Sequence, residues 1–185
     1  MTTALDPVAL PAPDQAEAWL DDLAATSLTR ARELVDALKA DRPTDALEAL
    51  ERWNDVEIAM SGIASAGSLF SEVHPLEAVR SRGEVAIQDV QKLSTELGLD
   101  RDLYEVFAAL DPSGLDAQAA RLYGRIMRDF RRAGVDRDDA TRARIAEINE
   151  RLVVVAQEFS KNIRDDVRSI RVTAEALDGL PGDWL

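Results

Sequence analysis

Seven apolar residues, Ile145, Ile148, Leu152, Val155, Phe159, Ile163 and Val167, follow one another in unbroken steps of three and four. Steps of that size return to one side of an α-helix at every turn. The spacing predicts a single long helix over 136–168, roughly 45 Å from end to end at 1.5 Å per residue. Asp136 and Asp139 would place two acids at its electropositive start. Phe159 is the largest residue of the stripe, and it is expected to be buried against the second or third helix of the chain.

The remaining pattern is also helical, and the fold class expected is an all-α, multi-helix bundle. A first helix is expected over 14–40 on Leu20, Leu23, Leu28, Ala31, Leu34, Val35 and Leu38, with a break near Thr26-Ser27. A second opens at Pro43, where the missing N–H is tolerated. It carries Leu47, Leu50, Trp53, Met60, Ile63 and Phe70 and stops before His74-Pro75, because proline disfavours helical geometry in the residue preceding it. A third runs over 75–97 to Gly98, and Asp100 caps a short fourth over 100–110. Asp111-Pro112-Ser113-Gly114 is a turn, and a fifth helix bearing Leu122, Ile126, Met127 and Phe130 ends at Gly134. After Arg168 the alternation Ser169-Ile170-Arg171-Val172-Thr173 predicts a short C-terminal β-strand, followed by a loop at Asp178-Gly179-Leu180-Pro181-Gly182. The chain thus divides into an N-terminal extension over 1–13, a helical domain over 14–168, and a strand and loop over 169–185.

With 185 residues and 46% hydrophobic side chains, the chain can bury a substantial core. It has no cysteine, which removes disulfides, thiol catalysis and Cys-type zinc sites. Its net charge of −13 repels phosphate backbones and anionic lipid, so neither nucleic acid nor membrane is an expected partner. Residues 1–13 lack the features of a secretory signal, and the longest uncharged run, 58–71, is too short and too poor in large apolar residues to span a bilayer. A cytoplasmic location is expected.

None of the chemical motifs closes. His74 is the only histidine, and catalytic zinc takes three protein ligands, usually with two or three histidines among them. The run from Gly62 to Gly67 has the glycine spacing of a phosphate loop but no lysine and no preceding strand; Ala59, Gly62, Ala66 and Gly67 read better as small residues admitting a neighbouring helix. Arg125, Arg128, Arg131 and Arg132 form a basic run that could hold an anion or a partner's carboxylates but reads first as a solvated face near a helix end; Arg164 to Arg168 could be a hinge or dock but read first as intrahelical ion pairs. Asp21-Asp22 and Asp138-Asp139 point about 100° apart and do not converge. No catalytic, cofactor-binding or metal-binding residue is assigned, and the chain alone is expected to hold no zinc and to be inactive.

Glu158-Phe159-Ser160-Lys161-Asn162-Ile163 resembles the segment closing the long helix of thimet oligopeptidase-like zinc metallopeptidases. Leu177-Asp178-Gly179-Leu180-Pro181-Gly182-Asp183-Trp184-Leu185 looks like that family's Leu-x-Gly-Leu-Pro-x-aromatic stretch. Asp129-Phe130-Arg131-Arg132-Ala133-Gly134-Val135 and Ser71-Glu72-Val73-His74-Pro75 fall in the order of its actinobacterial-type members. The resemblance implies a mostly helical enzyme of two lobes around a deep channel, hydrolysing short peptides. It also implies a zinc ion on an H-E-x-x-H helix far downstream, in which two histidines hold the metal and the glutamate activates water. No such motif occurs here, so the resemblance implies a channel wall whose C-terminal catalytic domain is missing. A lone strand and a terminal Trp184-Leu185 fit a piece of a longer enzyme better than the alternative, a stand-alone helical protein-interaction module, which should finish on a capped helix and a polar tail. An apolar flank left bare by the missing half is expected, with 170–173 and Trp184-Leu185 at its edge.

Overall fold

The computed structural model describes residues 10–179 and residue 181. Six α-helices occur among them: α1 (Ala16–Ala40), α2 (Ala46–Val73), α3 (Glu77–Gly98), α4 (Arg101–Ala108), α5 (Ala117–Ala133) and α6 (Asp139–Asp165). The all-α reading holds. α2 packs between α1 and α3, α4 and α5 close one end of this layer, and α6 lies along α3.

Aspartates start most of these helices. Asp45 accepts from the N–H groups of Leu47 and Glu48, Asp100 from Leu103, Asp116 from Gln118 and Ala119, and Asp138 from Thr141. Each satisfies donors that the first turn leaves without intrahelical partners. Asp100 also takes the Lys39 ammonium at 2.9 Å, tying the end of α1 to the start of α4. This hydrogen bond raises the Lys39 pKa above its ordinary value. Gly134 ends α5 with φ 94°, a conformation that suits a residue without Cβ.

The core is an apolar seam from Leu20, Val35 and Leu38 through Val56 and Ile63 to Leu93, Leu103 and Phe107. Phe107 is its largest fully enclosed side chain. Its ring meets Trp53 edge-on at 6.0 Å and lies 6.0 Å from Phe130 and 6.4 Å from Tyr123. The Tyr123 hydroxyl donates to the Phe107 carbonyl, so the one polar atom of that ring is satisfied.

Several expectations change. Helix α1 runs unbroken through Thr26, whose hydroxyl donates to the Asp22 carbonyl within the same helix at 2.7 Å. Helices α2 and α3 begin three and two residues after Pro43 and Pro75, respectively. Helix α6 is shorter than 136–168 and is capped by Asp138. Ile170 to Thr173 forms no strand; it is exposed, irregular backbone, since no second strand among the described residues offers it a ladder. Trp184-Leu185 lies outside the described residues.

Phe159 is the largest correction. It is 67% exposed, and no described residue of α6 is buried.

Candidate functional site

Two surfaces stand out. The first is a cleft of about 520 Å³ between α2, the end of α3 and α5. Leu50, Met60, Leu97 and Phe130 form its buried floor, and Trp53 one wall. Asn54, Glu57, Ser94, Arg125 and Asp129 stand around its exposed rim. Glu57 is open to solvent by surface area, yet it leans over the apolar floor, and this desolvation raises its carboxyl above the ordinary value. Ionisation of Glu57 therefore opposes folding: its contribution is best below the usual carboxylate range and is lost as pH rises through the raised pKa. The cleft thus joins a greasy floor to a rim of one amide, two acids and a guanidinium. It does not bring a nucleophile, a base and an oxyanion donor together.

The second surface belongs to α6, which meets the bundle with a mixed side: Ile145, Ala146 and Val153 are half-buried there, and polar side chains make the hydrogen bonds. Gln157 donates to the Glu84 carbonyl at 2.9 Å and accepts from Gln88. Arg164 donates to the Ser71 carbonyl at 2.8 Å and pairs with the Glu84 carboxylate at 3.1 Å. Arg142 donates to the Leu99 carbonyl at 2.9 Å. The opposite side carries Ile148, Leu152, Val155, Phe159 and Ile163, with Leu152 58% and Ile163 63% exposed. The three-four stripe is real, but it faces out.

The chain is 24% identical over 144 residues to saccharolysin of Saccharomyces cerevisiae. No family model matches it. The alignment takes in 71% of this chain and 20% of saccharolysin, so the chain spans about a fifth of the length of the curated relative it matches.

The residues weighed in the sequence are scattered. His74 ends α2, its Nδ1 accepts from the Leu76 N–H, and its ring lies 5.6 Å from Phe70. No group of three or more His, Cys, Asp and Glu able to hold a metal occurs among the described residues. Of the arginine run, Arg125 joins the cleft rim. Arg128 lies 3.6 Å from Asp129, and the neighbouring Tyr104 hydroxyl raises the Arg131 pKa. They do not converge. Arg164 pairs with its neighbour Asp165 at 3.5 Å and Arg168 with Asp166 at 2.9 Å, as expected, and Arg164 also docks on Glu84 of α3 at 3.1 Å. Asp21 pairs with Arg82, and Asp139 with Arg142. Gly67 stands at a close helix crossing as expected, whereas Gly62 faces open space. The cleft had no local signal, because its walls come from three helices distant in sequence. No helix of the described residues is long and apolar enough to cross a membrane.

The polar dock of α6 gives a direct expectation. Arg164→Ala should speed amide exchange in the second half of α6 by roughly tenfold or more, since it removes charged hydrogen bonds to α2 and α3. Exchange in α1 to α5 should not change. Uniform acceleration across the chain would show that α6 is not docked through this contact.

Proposed function

We propose that this chain is the N-terminal helical part of a metallo-oligopeptidase related to thimet oligopeptidase, forming one wall of a channel that admits short peptides. The observation that carries the reading is the likeness to saccharolysin, a metallopeptidase of that family, across most of this chain and only a fifth of that protein. The motifs at Glu158 to Ile163 and Leu177 to Pro181 support it from the sequence. So does the bare apolar stripe of α6, which is what a helix shows when its cover belongs to another part of a larger protein.

In this reading 14–168 is the helical domain, and 169–185 leads toward a catalytic domain carrying the H-E-x-x-H motif that is absent from these 185 residues. Zinc, when bound there, would polarise the scissile carbonyl and activate water. This chain contributes the shape of the channel, the cleft over Trp53 and Phe130, and the exclusion of folded proteins from a cytoplasmic enzyme. A saccharolysin variant lacking the segment aligned with this chain supplies the test. Mixing the two should form a complex and restore cleavage of a quenched fluorescent peptide that neither cleaves alone. Absence of both complex and activity would overturn the reading.

The enclosed core of α1 to α5 favours one other reading, a stand-alone interaction module, because those helices bury one continuous core among themselves. That module would gain no peptidase activity on mixing.

A further inference from the structure

Helix α6 follows a heptad pattern on its bare side. Leu152 and Phe159, with Ile148, Val155 and Asn162, form the exposed seam, and half-buried Ile145 stands before it against the Gly134 turn. Arg144, Arg151, Glu158 and Asp165 line one border at seven-residue intervals, all solvent-exposed. The border is basic in its first half and acidic in its second. The other border, Asn149, Ala156 and Ile163, carries no charge.

We propose that α6 pairs antiparallel with α6 of a second copy of this chain, about a two-fold axis near residues 153–154. An antiparallel pair brings each charged border against itself in reverse order. Arg151 then meets the partner's Glu158 and Arg144 the partner's Asp165, and symmetry repeats both pairs. Between them, Ile148 stacks on the partner's Phe159 and Leu152 on the partner's Val155, giving four apolar layers with their symmetry mates. A parallel pair would set Arg144 against Asn149, Arg151 against Ala156 and Glu158 against Ile163, with no ion pair. The charge pattern therefore selects orientation as well as register. Opposed helix dipoles favour the same arrangement.

Gln157 and Arg164 dock α6 onto α3 and α2 from the side opposite the seam, so each bundle stands outside the pair. The paired stretch is about 33 Å long at 1.5 Å per residue. It falls at the small end of stable interfaces, and the −13 charge of each copy opposes it, so dimer and monomer exchange with concentration. The pairing does not depend on the proposed function; a longer polypeptide covering α6 would compete for the same face.

Sedimentation velocity on the 185-residue chain over a concentration series, with circular dichroism as the folding control, decides it. The wild-type chain should pass from monomer to dimer. Arg151→Glu should weaken the dimer roughly tenfold or more, because two symmetry-related attractions become repulsions. A chain with an all-acidic border (R144E, R151E) and one with an all-basic border (E158R, D165R) should each stay monomeric and form a heterodimer when mixed. A folded wild-type chain monomeric at every concentration overturns the proposal, and so does a dimer indifferent to the swaps. If the chain binds the shortened saccharolysin yet never itself, this proposal fails while the functional reading stands.

Discussion

Phe107→Ala should lower the unfolding free energy by about 3–5 kcal/mol, while Phe159→Ala, measured at concentrations where the chain is monomeric, should change it by less than about 0.5 kcal/mol. The substitution is the same and the environments are opposite. Phe107 has no exposed surface and is bounded by Trp53, Phe130 and Tyr123, three rings that cannot all close over the space left by a methyl group. It also anchors the Tyr123 hydroxyl through its own carbonyl, so a backbone shift there would strain a buried hydrogen bond. Phe159 projects from α6 with two-thirds of its surface in water, and removing it leaves no cavity. Urea titrations of both variants give the comparison from midpoints at constant slope. A large loss for Phe159→Ala would mean that α6 is docked through its stripe; a small loss for Phe107→Ala would mean that the centre of the bundle is not where α1, α2 and α4 meet.

The contrast also shows how far the sequence was legible. Three-four spacing tells that Ile148, Leu152, Val155 and Phe159 share a side of one helix. It does not tell what covers that side. Reading Phe159 as buried assumed that the cover lay within the chain. The signal against it was the opposite side of the same helix, where Arg142, Gln157 and Arg164 are long enough to reach backbone carbonyls of neighbouring helices. Helix ends were easier, because Asp100, Pro75, Gly98 and Gly134 act through local chemistry within a turn. The strand expected at 170–173 failed for the converse reason: alternation is local, but a strand needs a partner. The cleft over Trp53 and Phe130 depends on how α2, α3 and α5 cross, which no window of sequence contains.

Gly83→Ala should destabilise the chain by about 1–3 kcal/mol, and Gly62→Ala should stabilise it by up to about 1 kcal/mol. In a helix interior, alanine is favoured over glycine by about 1 kcal/mol, so propensity alone gives both substitutions the same sign. The crossing of α2 and α3 reverses one of them. A Cβ on Gly83 would stand 2.7 Å from the Gly67 carbonyl oxygen and 2.9 Å from the Ser71 nitrogen. Those atoms are four residues apart on α2, the donor and acceptor of one helical hydrogen bond. The methyl would press on that bond, and no side-chain rotation can relieve a clash with backbone. The two helices would have to separate along an interface that also buries Ser71 and Ala86, losing contacts on both sides. At Gly62 a Cβ meets nothing within 4 Å, so only the gain in helix propensity remains. Thermal midpoints moving in opposite directions are the expected result. Midpoints that rise together would place α2 and α3 further apart than Gly67 and Gly83 allow, and would remove the close crossing that sets α6, docked on both helices through Arg164, at its height above the bundle.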